Sequence, residues 1–190
     1  SPILRDNVPT SDGLMVARLR AAGAIFIGKT NVPEFGLGSH ATNPVFGPTR
    51  NAYDPARSAG GSSGGAAAAL ALRMVPVADG SDFGGSLRNP AGWNNVFGFR
   101  PSPGRIPLDP AGEVFVQQLA TEGPMARNVA DLAMLLSVQA GPDPRAPLSL
   151  PEPGNTFAAP PARDAAGLRV GWLGDLGGLP MEPGVLETCE

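Results

Sequence analysis

Glycine and proline set the first limit on this chain: 26 glycines and 22 prolines stand among its 190 residues, and neither residue suits the interior of a helix or strand. In a polar chain that fraction would signal disorder. Here 42% of the residues are apolar and the mean hydropathy is close to zero, with the apolar segments lying between glycine clusters. The pattern predicts short helices and strands joined by many tight loops around one sizeable core. Loops of that kind carry function disproportionately.

The formal net charge of −3 comes without long runs of one sign. It therefore supplies no basic footprint for nucleic acid and no polybasic stretch for a membrane surface. No apolar stretch is long enough to span a bilayer and no signal peptide is visible, so the expectation is a soluble protein. Cys189 is the one cysteine and can form no internal disulfide, which suits a reducing compartment such as the cytoplasm.

Helix and strand signals alternate, which favours an α/β fold with a mixed central sheet covered by helices. A helix reads through LMVARLRAA, with Ser11 or Asp12 as its cap and Gly23 as its end. AIFIG then reads as a buried strand. Residues Ala66 to Met74 read as a second helix and VPVAD as a second buried strand. Asn128 or Thr121 precedes a third helix through VADLAMLLSVQA, which Gly141 stops, and LRVGWLG reads as a third apolar strand. Seven prolines within residues 141–167 predict an extended surface connection. The expected organisation is a single domain over 1–190, with a motif-bearing core to about residue 140, that connection, and a strand and the start of a helix over 168–190. SPILRDN at one end and MEPGVLETCE at the other read as cut points in a longer polypeptide.

Three motif readings compete for the glycine-rich segments. Gly23 to Thr30 fits the phosphate-loop pattern G-x-x-x-x-G-K-[ST], but a helix precedes Gly23, AIFI is itself strand-like and Pro33 would interrupt a helix opening at Lys29. Gly61-Ser62-Ser63-Gly64-Gly65 fits the nucleophile elbow G-x-S-x-G, which in α/β-hydrolases is followed by an acid and then a histidine. The only histidine is His40, upstream of Ser63. The third segment is Gly80-Ser-Asp-Phe-Gly-Gly-Ser-Leu-Arg-Asn-Pro90, which neither of the first two readings explains.

Taken together and in order, GKTNVPEF, RSAGGSSGG, GSDFGGSLRNPAG and FGFRPSPGRIP resemble the amidase signature family of serine amidohydrolases, over roughly Ser1 to Val138. The resemblance implies an amidase whose nucleophile is Ser86 and whose bridging serine is Ser62, 24 positions earlier. It implies a cis peptide bond before Ser62. The backbone amides of Phe83, Gly84 and Gly85, with that of Ser86, would form an oxyanion hole, and Gly36 would lie near the bound acyl group. The third catalytic group of the family is a lysine in a strand upstream of the segment matching Ser1. Lys29, the only lysine here, matches a different, non-catalytic position.

Physical chemistry makes those roles coherent. Successive glycines let backbone N–H groups converge on one point, as a developing oxyanion requires. A serine hydroxyl becomes a nucleophile only when a base takes its proton. Burial favours the neutral amine of a lysine and so equips it for that task. The implied partner is a small-molecule amide with no metal or organic cofactor; neither nucleic acid nor membrane is implied, and a homodimer is left open. Asp82 and Arg88 are expected to hold the nucleophile's loop, His40 to be an ordinary loop side chain, and Trp93 and Phe97 to lie in the core. Two other readings stand beside the amidase: an inactive binding fragment or pseudoenzyme of the same fold, and an α/β-hydrolase acting through Ser63.

Overall fold

The computed structural model describes residues 1–108, 119–159, 164 and 166–190, in two compact units, Ser1–Pro160 and Pro161–Glu190. In the first, helix α1 (Leu14–Ala21) is followed by a two-stranded hairpin, β1 (Thr42–Asn43) and β2 (Gly47–Pro48). Then come α2 (Gly64–Ala71), β3 (Val77–Asp82), α3 (Arg88–Trp93), β4 (Phe97–Gly98), β5 (Thr121–Ala126) and α4 (Val129–Gln139). The described strands of the main sheet run in the order β3-β5-β4, every pair antiparallel. The chain thus has an α/β fold, with helices against a sheet whose central strand is β5.

The core sits between that sheet and α2. Leu70, Leu87 and Met125 are fully enclosed, and Ala66, Ala67 and Ala91 pack with them. The alanine run suits this place because small side chains let α2 lie close to the strands. Met15 and Leu19 of α1 meet Leu135 of α4 in a second cluster. Arg18 braces the end of α4 from outside: its guanidinium donates to the carbonyl of Gln139 (2.7 Å), one of those a helix end leaves without partners, and to those of Gly141 (3.1 Å) and Pro142 (2.9 Å) just beyond it. At the other end of α4 the Asn128 side chain accepts from the Asp131 amide at 2.8 Å, an N-cap. Thr121 belongs to β5 instead.

Several expectations fail here. AIFIG is not a strand: residues 24–28 have no ladder partner among the described residues, and Ile25 and Ile27 are 89% and 72% exposed. A run of β-formers is a strand only where another strand pairs with it. Helix α1 begins at Leu14 with Gly13 as its cap and no capping side chain, because Asp12 is engaged by Arg20 at 2.6 Å. Trp93 and Phe97 are about half exposed rather than in the core, since Trp93 ends α3 and Phe97 begins a short edge strand. Part of the proline-rich connection folds back on α4: residues Gly154–Phe157 form a short 3-10 turn, and Phe157 packs on Ile106, Leu136 and Ala140. Its positions 160–163 and 165 lie outside the described residues.

In the second unit LRVGWLG pairs with no strand among the described residues, Val170 and Leu173 being 86% and 75% exposed, and α5 (Val185–Cys189) is the one helix among the described residues there. No helix among the described residues is long and apolar enough to cross a membrane.

Candidate active site

The third glycine-rich motif forms a strand–turn–helix. Strand β3 ends at Asp82, residues 83–87 turn, and α3 begins at Arg88. The Asp82 side chain has no solvent exposure, and its carboxylate gathers the turn around itself. Oδ1 accepts from the Gly85 amide at 2.8 Å, and Oδ2 from the amides of Leu87 (3.1 Å) and Arg88 (3.4 Å). Arg88 adds a two-pronged ion pair, Nε to Oδ2 and Nη2 to Oδ1, both at 3.0 Å. Arg100 donates to Oδ1 at 3.0 Å and to the Asp82 carbonyl. Burial opposes the charged carboxylate, but the bonds from Arg88, Gly85, Leu87 and Arg100 outweigh it and hold the Asp82 pKa well below the ordinary carboxylate range.

Gly85 takes φ +126° within this turn, a conformation that a residue with a Cβ rarely adopts. Its amide is bonded to Asp82. Among the described residues, the amides of Phe83, Gly84 and Ser86 make no hydrogen bond. Phe83 and Gly84 are exposed and Ser86 is partly exposed.

The GGSSGG segment meets this turn through its backbone: the Ser63 amide donates to the Ser86 carbonyl at 3.2 Å. The peptide bond between Gly61 and Ser62 is cis, and Ser62 is buried. Among the described residues the hydroxyls of Ser62 and Ser86 have no hydrogen-bond partner. Ser63 differs: its hydroxyl lies 3.2 Å from the Ser81 amide, from which it accepts, and 3.4 Å from the Ser81 carbonyl. That bond pins the start of α2 to β3 and leaves Ser63 without its usual capping role. A buried hydroxyl so engaged is poorly placed to be a nucleophile.

Close approach explains two of the glycines. A Cβ at Gly61 would fall 2.6 Å from the Ala41 amide, and one at Gly65 would fall 2.5 Å from the Asn31 amide. Both loops are braced by asparagines whose roles sequence reading missed. Asn31 donates through Nδ2 to the Gly47 carbonyl and the Thr49 hydroxyl, both at 3.0 Å, while its carbonyl accepts from the Gly65 amide at 3.2 Å. Buried Asn94 donates to the carbonyls of Ala59 and Pro90 at 2.9 Å. The signal was present, since Asn31 lies inside GKTNVPEF, but a motif letter does not say which carbonyls it will reach.

Other expected residues lie apart. Gly36 is exposed in a 3-10 turn, its amide donating to Pro33 at 3.0 Å, and no hydrogen bond joins it to either serine. Lys29 is exposed, and among the described residues it has no hydrogen-bond or ion-pair partner. No helix opens there, so the phosphate-loop pattern lacks its structural context. His40 Nδ1 lies 3.0 Å from Ser58 Oγ, which accepts from the Gly60 amide, and its ring tilts against Trp93.

Comparison with known proteins gives a consistent result. A family model described as Amidase matches residues 1–190. The chain is 42% identical to an acylamidase of Rhodococcus erythropolis over 186 residues, which is 98% of this chain and 39% of that protein. It is 48% identical to a glutamyl-tRNA(Gln) amidotransferase subunit from Thermus thermophilus over 154 residues, 80% of this chain and 32% of that one. Among solved structures, a bacterial aryl acylamidase of the amidase signature enzymes superposes with a TM-score of 0.76 at 39% identity, covering 80% of this chain and 32% of that chain. The chain thus spans between about a third and two fifths of the length of these relatives. The ordered motifs, the serine-bearing turn between β3 and α3, and these likenesses coincide on one conclusion: the chain belongs to the Amidase family, the amidase signature enzymes.

Proposed function

We propose that this chain carries the nucleophile and bridging serine of an amidase, a hydrolase acting on a carboxamide C–N bond. The observation that carries the reading is the junction of two serine segments. The Asp82-centred turn carries Ser86, and the Ser63 amide, bonded to the Ser86 carbonyl, ties the segment that carries Ser62 to that turn.

Ser86 Oγ attacks the amide carbon while its proton passes through Ser62 Oγ to a neutral lysine amine. That lysine lies outside these 190 residues. The carbonyl oxygen becomes an oxyanion, which the amides of Phe83, Gly84 and Ser86 stabilise. Each such donor is worth about 3–4 kcal/mol of barrier. Gly85, whose amide serves Asp82, contributes the turn itself. Collapse breaks the C–N bond, the leaving nitrogen takes the proton back, and water then attacks the acyl-enzyme to release the acid and free Ser86. Gly36 borders the acyl group in this reading. The named activities of the relatives, those of an acylamidase and of a subunit in an amidotransferase, share a carboxamide C–N bond, and that is the substrate class proposed.

The test is covalent labelling with a fluorophosphonate of a protein that carries this chain together with the proposed lysine, read by intact mass and peptide mapping. One adduct on Ser86, absent in Ser86→Ala, is expected. An adduct on Ser63 that survives Ser86→Ala would overturn the assignment in favour of the elbow.

A further inference from the structure

We infer that Arg100 is a positioning residue for Ser86: by holding Asp82 at both its carboxylate and its carbonyl, it fixes the turn that presents the nucleophile. The inference rests on Ser86 as proposed above.

Both arginines neutralise Asp82, but they sit differently. The Arg88 side chain is 55% exposed and comes from the first residue of the helix that directly follows the turn after Asp82, whereas the Arg100 side chain is 22% exposed and arrives from beyond β4. Arg100 lies just after β4, and β5 separates β4 from β3 in the sheet. Its guanidinium reaches the end of β3 through Asp82 and also donates through Nη2 to the Leu119 carbonyl at 2.7 Å, two residues before β5. One planar fork therefore joins the exits of β3 and β4 to the entry of β5, which a lysine's single ammonium matches poorly. The crossing is built into the backbone. The Phe99 amide donates to the Pro124 carbonyl at 3.1 Å, and a Cβ at Gly123 would fall 2.3 Å from the Phe99 carbonyl oxygen. The Asp82 carbonyl that Arg100 holds is where the chain leaves the sheet for Phe83.

The experiment measures, in the chain, amide exchange at Gly85 and Leu87 and the fluorophosphonate rate at Ser86. The variants are Arg100→Met, Arg100→Lys and the control Arg127→Met. Arg127 also binds carbonyls, those of Leu70 and Val75, but from the opposite end of β5. In Arg100→Met, exchange of the Gly85 and Leu87 amides should rise about tenfold or more, and Ser86 labelling should slow by about ten- to a hundredfold. Arg100→Lys should recover part of both, and it carries the test if Arg100→Met does not fold. Arg127→Met should lower the melting temperature while leaving labelling within about twofold. Unchanged protection of Gly85 and Leu87 in the Arg100 variants, or equal slowing in Arg127→Met, overturns the inference. Lost protection with no adduct on Ser86 even in a protein that also carries the proposed lysine would uphold the clamp and overturn the nucleophile assignment instead.

Discussion

Asp82 shows how much one side chain can organise, since an enclosed carboxylate that accepts from three amides and two guanidinium groups cannot be replaced by a neutral look-alike at small cost. Asp82→Asn keeps the shape and leaves Arg88 and Arg100 facing an amide, so urea denaturation should show a loss of about 3–5 kcal/mol. The sign of the pH dependence follows from the direction of its pKa. A folded-state pKa held below the unfolded value gives stability that is fully present above about pH 4 and lost as pH falls from there. Denaturation midpoints should be flat between pH 5 and 7 on this account and decline below pH 4, with the decline reduced in Asp82→Asn. In a protein that also carries the proposed lysine, Ser62→Ala should slow labelling of Ser86 by about a hundredfold or more. Lys29→Ala should change it by no more than about twofold, because Lys29 is exposed and without a partner among the described residues.

At the scale of elements, helices were easier to read than strands. The apolar spacing of VADLAMLLSVQ and the cap at Asn128 are local, and α4 formed with that cap in place. AIFIG and LRVGWLG carry equally plain β-formers and pair with no strand among the described residues, because a strand is decided by its neighbour and not by its own letters. The glycine-rich motifs fall between these cases. Their glycines fit specific close contacts, so the turn at Gly85 was legible, while the asparagine braces and the reach of Arg100 depend on distant carbonyls. Packing gives the corresponding test. Leu70 is fully enclosed against Leu87, Ala91 and Met125, so Leu70→Ala should cost about 2–5 kcal/mol in denaturation experiments. Leu72, 58% exposed, should tolerate the same change within about 0.5 kcal/mol.

For the whole molecule, the proposed division of labour makes a kinetic prediction. In that proposal these residues supply the nucleophile, the relay and oxyanion donors, and the base lies outside them. Incubation of the chain with an activated reagent should therefore give at most one equivalent of product, and a plain carboxamide should give no repeated turnover. Sustained turnover abolished by Lys29→Ala would show that the base had been misplaced. The segment 25–28, where Ile25 and Ile27 face solvent while Arg20 lies over the Phe26 ring, bears on handling as well as on folding. An apolar run with no charge and no proline offers its unpaired backbone to another copy, the situation in which β-rich aggregates nucleate. Solutions of the chain should scatter light increasingly with concentration and time, and placing lysines at both isoleucines should keep them clear.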